Sequence, residues 1–221
     1  MARAALSSTL SQARGRVGND LIVKTRGGWA VRPRPKYKQF PHPEAAAARA
    51  RLRQAVDAWY SLDLPQVEAW RAYARTVRKT DSLTGEHYSP IAYNVFVGLT
   101  TRFLQATPGG EIPLWPPTTD FPGDDVVLEV EAIAGGVRFT ASGPNTPGVT
   151  TELMVQKLPN IRRSPTKFYK SAAFHAFIPE SPQAELELDP GVYCFAYRFV
   201  HVQDGQSTGA QVMGAVIQTN Y

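Results

Sequence analysis

The chain has 221 residues, 43% of them hydrophobic, and carries a formal net charge of +5. This length and composition allow one large domain or two smaller ones with real hydrophobic cores. The single cysteine, Cys194, excludes an internal disulfide framework, and no run of about 18 apolar residues, such as a membrane span needs, is present. The N-terminal residues also lack the apolar stretch of a signal peptide, so we expect none.

The positive charge is concentrated in the first half of the chain. Residues 1–110 contain 17 lysines and arginines against 7 aspartates and glutamates, a net of +10, whereas residues 111–221 contain 7 against 12, a net of −5. Such an asymmetry predicts an electrostatic partner for the basic half. A nucleic acid, an acidic protein surface and the acidic half of a neighbouring copy all satisfy this requirement.

Residues 1–42 are predicted to form a hairpin followed by a basic extended arm. Two short apolar strands, the second containing Trp29 and Val31, are separated by an Arg-Gly-Gly turn. Residues 32–38 then read Arg-Pro-Arg-Pro-Lys-Tyr-Lys. Because proline fixes φ and disfavours helix for the residue before it, we expect this piece to run extended, outside any sheet or core. A segment of this kind needs another surface to lie against.

The basic segment has two interpretations. As a nucleic-acid arm it contacts phosphates through its cations and stacks Trp29 or Tyr37 on bases. As an assembly arm it lies along a neighbouring protein subunit, with Trp29 and Phe40 as anchors and its arginines paired with carboxylates. We favour assembly, because no recognised nucleic-acid module accompanies the arm. The predicted partner-binding residues are Arg14, Arg16, Lys24, Arg26, Trp29, Arg32, Arg34, Lys36, Lys38 and Phe40.

Residues 43–106 are predicted to form three helices in a helical domain. The first begins at Pro43-Glu44, where proline suits the first turn and glutamate complements the positive end of the helix dipole. The second follows the Leu64-Pro65 interruption, and the third is expected to begin at Ser89-Pro90, with the serine as N-cap, and to end near Gln105. Aromatic side chains at helical spacing are expected to form the core, with the arginines opposite them on a solvated face.

The proline- and glycine-rich residues 107–120 are predicted to be a linker, and beyond them the hydrophobic period changes from 3.6 to 2. About seven short alternating segments in residues 121–221 predict an antiparallel β-sandwich. The approach Leu-Asp-Pro-Gly-Val-Tyr193 resembles the entry to the sixth strand of fibronectin type III and other immunoglobulin-like domains, where a tyrosine ties the loop to the strand. The expected fold class is therefore α+β: an N-terminal hairpin and arm, a small helical bundle, and an immunoglobulin-like antiparallel β-sandwich.

The sequence contains no recognisable catalytic or metal-binding pattern. The four histidines are scattered, with no second ligand at metal spacing, and phosphate-loop, nucleotide-fold and serine-hydrolase motifs are absent. Asp124-Asp125 resembles a carboxylate pair, but at a strand entrance it favours a turn with solvated charge. We therefore expect no enzymatic activity, no cofactor and no metal. Cys194 lies in an apolar alternating stretch and is expected to be a small buried hydrophobe.

Three short motifs lie in the basic half of the chain. Residues 15–19 read Gly-Arg-Val-Gly-Asn, residues 28–35 read Gly-Trp-Ala-Val-Arg-Pro-Arg-Pro, and residues 89–97 read Ser-Pro-Ile-Ala-Tyr-Asn-Val-Phe-Val. Together they resemble a group of uncharacterised proteins from phages and prophages, which share a Gly-(Lys/Arg)-Val-Gly-Asn start, a short hairpin, an Arg-x-(Arg/Lys)-Pro step and a helical segment. The resemblance covers about residues 13–100, and many such proteins continue into immunoglobulin-like β-domains. It implies a structural component of the virion.

These observations predict a non-enzymatic virion protein, made in the host cytoplasm. A capsid decoration or cement protein that docks through the basic N-terminal arm is the leading hypothesis, and a head-to-tail connector or tail component is the first alternative. The expected partners are major capsid, neck or tail proteins and copies of the chain itself, with no membrane. A nucleic-acid-binding protein with a β-sandwich appendage is the second alternative. A third is a glycan-binding β-domain that uses aromatics such as Trp115, Phe168 and Tyr169.

Overall fold

The computed structural model describes residues 2–3, 15–17, 20–25, 28–33, 43–80, 85–166 and 169–219. Within this part of the chain, three helices and several antiparallel sheets form a mixed α+β structure, which confirms the expected fold class at that level. Contacts between Cα atoms divide the chain into two compact units, Met1–Ala45 and Ala46–Tyr221. The division falls in the first turn of the first helix.

The first unit contains a four-stranded antiparallel sheet. Its strands are β1 (Ala2–Arg3), β2 (Gly15–Val17), β3 (Asp20–Thr25) and β4 (Gly28–Pro33). They lie in the order β1-β4-β3-β2. The predicted hairpin is the β3–β4 pair, in which Thr25 lies opposite Gly28 across a short connection of the length that favours tight hairpin turns. The sequence pattern does not predict β1 and β2, because strands this short show no alternation.

Strand β4 is longer than expected at its C-terminal end. Arg32 lies opposite Leu21 and Pro33 lies opposite Asp20, so both residues belong to the sheet. The prediction that the extended arm leaves the sheet at Arg32 is therefore wrong for these two residues. Proline is compatible with extended backbone, and at the last position of a strand its missing N–H leaves the rest of the ladder intact. The remainder of the predicted arm, residues 34–42, lies outside the described residues.

The three predicted helices are present as α1 (Pro43–Ser61), α2 (Leu64–Thr76) and α3 (Ala92–Ala106). A capping box starts α2. The Asp63 carboxylate accepts the backbone N–H of Gln66 at 2.9 Å, and the Gln66 side chain accepts the backbone N–H of Asp63 at 2.9 Å. Pro65 costs no hydrogen bond in this first turn, because the first N–H groups of a helix have no intrahelical acceptor.

The start of α3 differs from the prediction. Ile91 occupies the N-cap position without a side-chain cap, so the assignment of Ser89 as N-cap is wrong. The Ser89 hydroxyl instead accepts a hydrogen bond from Arg78 Nη1 at 3.1 Å. A small hairpin that the sequence pattern does not predict precedes it, formed by β5 (Lys79–Thr80) and β6 (His87–Tyr88). The Ser89 hydroxyl is therefore bonded to Arg78 and does not cap α3.

The aromatic side chains of the helices form a core, as expected. Trp70 and Phe96 are buried, and their rings meet edge to face with centroids 5.1 Å apart. Trp59 packs against the same phenylalanine at 5.5 Å. The indole N–H of Trp70 donates to the carbonyl of Leu114 at 2.9 Å, so the polar atom of this buried side chain has a partner.

The second half of the chain forms two antiparallel sheets. The strands are β7 (Leu128–Ile133), β8 (Gly136–Ala141), β9 (Val149–Leu158), β10 (Lys170–His175), β11 (Gln183–Glu187), β12 (Gly191–His201) and β13 (Gln211–Thr219). One sheet has the order β10-β9-β12-β13 and the other the order β11-β8-β7. Buried side chains from both sheets, including Phe139, Leu153 and Phe195, share one hydrophobic cluster. These strands correspond to the seven alternating segments expected from the sequence.

Strand β12 is buried on both faces around its middle. Phe195 and Phe199 belong to the cluster between the sheets, and the alternating residues Ala196 and Val200 are fully buried as well. Helix α3 reaches this part of the structure through hydrogen bonds. Arg102 Nη1 donates to the carbonyl of Gly205 at 3.1 Å, and the Gln105 side chain donates to the Ser171 hydroxyl on β10 at 3.0 Å.

The helices, from Ala46 on, and the strands β5 to β13 belong to the same compact unit. The proline-rich residues 107–120 lie inside this unit, where the carbonyl of Leu114 accepts from Trp70 and the carbonyl of Thr119 accepts from Gln206. Contacts therefore do not separate the chain at the predicted linker. Independent folding of residues 43–106 and 121–221 stays a prediction.

Candidate partner-binding surface

The register of the N-terminal sheet brings two of the predicted partner-binding arginines to one face. Residues directly opposite each other on antiparallel strands share a face of the sheet. Arg16 lies opposite Leu21, and Leu21 lies opposite Arg32 on the other side. Neighbouring strands are about 4.8 Å apart, so the backbones at Arg16 and Arg32 are separated by about 10 Å across β3.

A third arginine joins this face through β1. Arg3 lies opposite Ala30, and Ala30 lies opposite Val23, which alternation places on the same face as Leu21. Arg3 is therefore a diagonal neighbour of Arg32, at a backbone distance of about 7–8 Å. We call this surface the arginine face. It consists of Arg3, Arg16, Leu21, Val23, Ala30 and Arg32.

The opposite face carries the other predicted contacts that the structure describes. Lys24 lies opposite Trp29, and both alternate with the residues of the arginine face. Asp20 belongs to this second face as well, one position before Leu21. The structure thus separates Arg16 and Arg32 from Lys24 and Trp29. The predicted contacts Arg14, Arg26, Arg34, Lys36, Lys38 and Phe40 lie outside the described residues.

The charge balance of the first unit is strongly positive. Residues 1–45 contain 9 lysines and arginines against 2 acidic residues, Asp20 and Glu44. Among the described strand residues, no carboxylate shares the arginine face. The register therefore places three arginines on one face that has no carboxylate among its described residues. The sequence does not identify Arg3 as part of this face. Its strand β1 pairs with β4, which is distant in sequence, and no local pattern predicts such a pairing.

The exposed face of the β7-β8-β11 sheet has the opposite character. Four glutamates, Glu129, Glu131, Glu185 and Glu187, are exposed on its strands. Arg138 lies between two of them, with Nη1 3.1 Å from Glu131 and Nη2 2.7 Å from Glu185. The hydrogen bonds to Glu185 and then to Glu131 raise the pKa of Arg138. Exposed ion pairs of this kind contribute little to folding. Glu129 and Glu131 alternate with apolar residues along β7, a pattern that predicts side chains facing water, and both are exposed.

A buried charge cluster lies where α3 meets the other sheet. Glu152 on β9 is 1% exposed, and Arg198 on the neighbouring strand β12 donates to it through Nε at 2.5 Å. Arg102 of α3 is close enough to interact with both. Burial is the main cause that lowers the pKa of Arg102, the nearby charge of Arg198 lowers it further, and Glu152 raises it. Glu152 is therefore paired with Arg198, and the guanidinium group of Arg102 lies near this pair.

Asp124, which the sequence offers as part of a carboxylate pair, has hydrogen-bond partners within the fold. The Asp124 carboxylate accepts hydrogen bonds from the backbone N–H of Thr146 at 2.8 Å and from the Asn145 side chain at 3.1 Å. Burial raises the pKa of Asp124, but these bonds and that from the Asp125 N–H outweigh burial and lower it. The Asp124 carboxylate therefore holds a loop, in agreement with the turn interpretation.

Cys194 is buried, as expected. The Tyr169 hydroxyl forms a hydrogen bond with the Cys194 thiol, and burial, followed by this bond, raises the pKa of Tyr169 to about 12.

In the part of the chain that the structure describes, His, Cys, Asp and Glu side chains form no group of three or more that fits a metal ion. None of the helices described there has both the length and the hydropathy of a membrane span. No protein-family model, no curated protein and no solved structure matches this chain.

Proposed function

We propose that this chain is a structural protein of a phage particle that docks onto other virion proteins through its arginine face. A capsid decoration or cement protein is the leading form of this proposal, and a head-to-tail connector or tail component is its alternative. The observation that carries it is the register that collects Arg3, Arg16 and Arg32 on one face, where no described strand residue is acidic. The three short motifs of the basic half, which resemble phage and prophage proteins, support the same role.

The composition of the arginine face favours a protein partner. Arginine is enriched in protein interfaces, where it forms bidentate pairs with carboxylates, and apolar side chains form the centre of such contacts. Leu21 and Val23 share the face with the three arginines, which gives this mixture. An acidic surface on a capsid, neck or tail protein, or on another copy of the chain, has the complementary chemistry.

The same register weakens the nucleic-acid alternative. Binding of a single strand combines phosphate contacts with stacking of bases on a nearby aromatic ring. Trp29 lies on the face opposite Arg16 and Arg32, so one strand of nucleic acid on the arginine face does not reach it. Duplex binding through phosphates alone remains the second candidate. It predicts a steep loss of affinity as salt increases, and a salt titration with deletion of residues 14–38 tests it.

The proposal includes an immunoglobulin-like sandwich for residues 121–221. Seven antiparallel strands divide into sheets of three and four, and one hydrophobic cluster contains buried residues of both. Strand β10 pairs with β9 in the larger sheet, not with β11, which is the arrangement of fibronectin type III domains. Such a module suits a rigid projection or a bridge to a neighbouring subunit.

The tyrosine at the entry to β12 supports this assignment. The Tyr193 hydroxyl donates to the backbone carbonyl of Asp189, four residues upstream, at 2.7 Å. In immunoglobulin-like domains a tyrosine in this position makes the same bond back to the preceding loop. The aromatic ring is buried in the cluster between the sheets, so the bond fixes the loop to the core.

Mass spectrometry of purified phage particles tests the proposed role. We expect peptides of this chain in particles that have been banded and washed in high salt. The copy number relative to the major capsid protein then separates the two forms: many copies indicate a shell protein, and few copies indicate a neck or tail ring. Absence of the chain from intact particles, with the protein present in the infected cell, would contradict the proposal.

A further inference from the structure

A cleft of about 310 Å³ opens between α2, α3 and the loop that follows β12. Its polar lining residues are Tyr73, Lys79, Asn94, Arg102, Gln206 and Ser207. Val77 and Leu99 supply apolar walls. A concave site with a few converging polar groups on an apolar wall is the usual form of a small-molecule site.

The lining of the cleft is rich in hydrogen-bond donors. It contains the cationic side chains of Lys79 and Arg102 and no carboxylate. Gln206 forms a rigid part of the wall, because its amide is held on both sides. Its Nε2 donates to the carbonyl of Thr119 at 2.8 Å and to the Asp204 carboxylate at 3.1 Å, and its Oε1 accepts the backbone N–H of Phe121 at 2.9 Å. The Gln206 amide therefore fixes the shape of this wall, and the donors left for a ligand include the cations Lys79 and Arg102.

Arg102 lies beside the cleft with a second guanidinium group near it. Arg198 is paired with Glu152, whose side chain is 1% exposed, whereas the hydrogen bond of Arg102 Nη1 goes to the neutral carbonyl of Gly205. A charge in a partly buried position is costly unless an opposite charge is near. An anion bound next to Arg102 would supply the missing charge.

We propose that this cleft binds a small anion with a phosphate or carboxylate group, held by Arg102 and Lys79. On another wall of the cleft, Tyr73 is near Asp120 and Asp204, which, after burial, raise the pKa of its phenol. We therefore place the anion beside Arg102 and Lys79 and not beside Tyr73. This site is separate from the arginine face and does not depend on the role in the virion.

Titration of the full-length, ¹⁵N-labelled protein with inorganic phosphate tests the proposal, with sodium chloride at matched ionic strength as reference. We expect saturable shifts of the amide signals of Asn94, Gly98 and Ser207, which line the cleft. A parallel titration with succinate distinguishes a phosphate site from a carboxylate site. Shifts confined to the cationic residues 1–45, or the absence of saturable shifts with both probes, would overturn the proposal.

Two matched variants assign the binding to the cleft. Lys79→Ala removes an exposed cation from the lining, and we expect about fivefold or more weaker binding of the better probe. Arg75→Ala removes an exposed cation of α2 that lies outside this cleft, and its binding should match that of the wild type. Equal weakening by both variants would mean a non-specific response to net charge, and the site would be rejected.

Discussion

The two units of the molecule differ in their balance of cationic and acidic residues. In residues 1–45, 9 cations face 2 acidic residues, whereas residues 46–221 contain 15 cations and 17 acidic residues. In the second unit some arginines have carboxylate partners, as in the pairs of Arg198 with Glu152 and of Arg71 with Glu68. On the arginine face of the first unit, the register brings arginines together with no carboxylate among the described residues of that face.

This difference indicates where each set of charges acts. The paired charges of the second unit act within the fold, either buried, as in Arg198 with Glu152, or exposed, as in Arg138 with its two glutamates. The described residues of the arginine face include no carboxylate that could balance its arginines. Under the proposed function, an acidic partner surface would supply these counter-charges and so stabilise the assembled state. The comparison therefore predicts that substitutions in the second unit change folding, whereas substitutions on the arginine face change binding.

Glu152→Gln should produce the largest loss of stability. The variant leaves Arg198 without its carboxylate partner and removes a negative charge near Arg102, and removal of one partner of a buried pair typically costs about 3–5 kcal/mol. Urea unfolding followed by circular dichroism measures the free energy of unfolding. Glu131→Gln, at a side chain that is 59% exposed, is the control and should change it by less than about 0.5 kcal/mol. Equal effects would refute the distinction between buried and exposed pairs.

Gly205→Ala tests the close packing of α3 on the loop after β12. Gly205 has φ +75°, and a Cβ at this position would lie 2.2 Å from the carbonyl oxygen of Leu99. Backbone strain and the clash together should cost about 3 kcal/mol or more of unfolding free energy. Gly135→Ala, at φ +78° with open space around the Cβ, should show the strain alone, about 1–2 kcal/mol. If the Gly205 variant loses no more unfolding free energy than the Gly135 variant, α3 does not pack closely against this loop.

Tyr193→Phe should have a smaller effect, confined to the tie between loop and strand. The substitution keeps the buried ring and removes the donor to the Asp189 carbonyl, at a cost of about 1 kcal/mol. Tyr60→Phe, at a residue that is 77% exposed, should leave the melting temperature unchanged. If both variants melt at the wild-type temperature, the tyrosine bond does not support the proposed immunoglobulin-like fold.

The smallest effect is expected at the Asp124 loop and appears as a dependence on pH. The pKa of Asp124 is lower in the folded protein than its ordinary value, so its carboxylate stabilises the fold above about pH 4, and this contribution is lost as the pH falls through the folded pKa. Asp124→Asn should be less stable than the wild type at pH 7, and the gap should narrow in acid. Thermal unfolding between pH 2 and pH 7, with Glu129→Gln as control, measures this. A gap that widens in acid would contradict the assignment.

Alternation and periodicity explain why much of the fold could be predicted. The period of 3.6 in the helices and of 2 in the strands is set by local geometry, so the sequence pattern locates α1, α2 and β7 to β13. The start of α3 was misplaced because Ser89 has a tertiary partner, Arg78, that competes with the capping role. The continuous apolar run of β12 predicts that both faces are covered, but it does not predict the hydrogen bond from Arg102 of α3 to the loop after this strand.

The residue composition of the candidate surface could be predicted from the sequence, but the residues that share each face could not. The sequence identifies a cationic N-terminal segment, but the faces depend on register, and a shift of one residue would exchange them. The connection between β3 and β4 sets that register, which places Arg16 and Arg32 together and Trp29 on the other side. The contribution of Arg3 depends on a pairing between β1 and β4 that is distant in sequence, and distant pairings leave no local pattern.

Competition for incorporation into particles tests the central claim most directly. Wild-type and variant chains with distinguishable tags are expressed together during infection, and their ratio in purified particles is measured by quantitative mass spectrometry. The double variant Arg16→Glu, Arg32→Glu reverses two charges of the arginine face, and Lys24→Glu reverses one charge of the opposite face. We predict that the double variant is depleted at least about 30-fold, as expected for loss of an interface anchor worth about 2 kcal/mol or more, while Lys24→Glu enters at close to the wild-type level. Equal incorporation of the double variant and the wild type would contradict the claim that the arginine face is the docking surface.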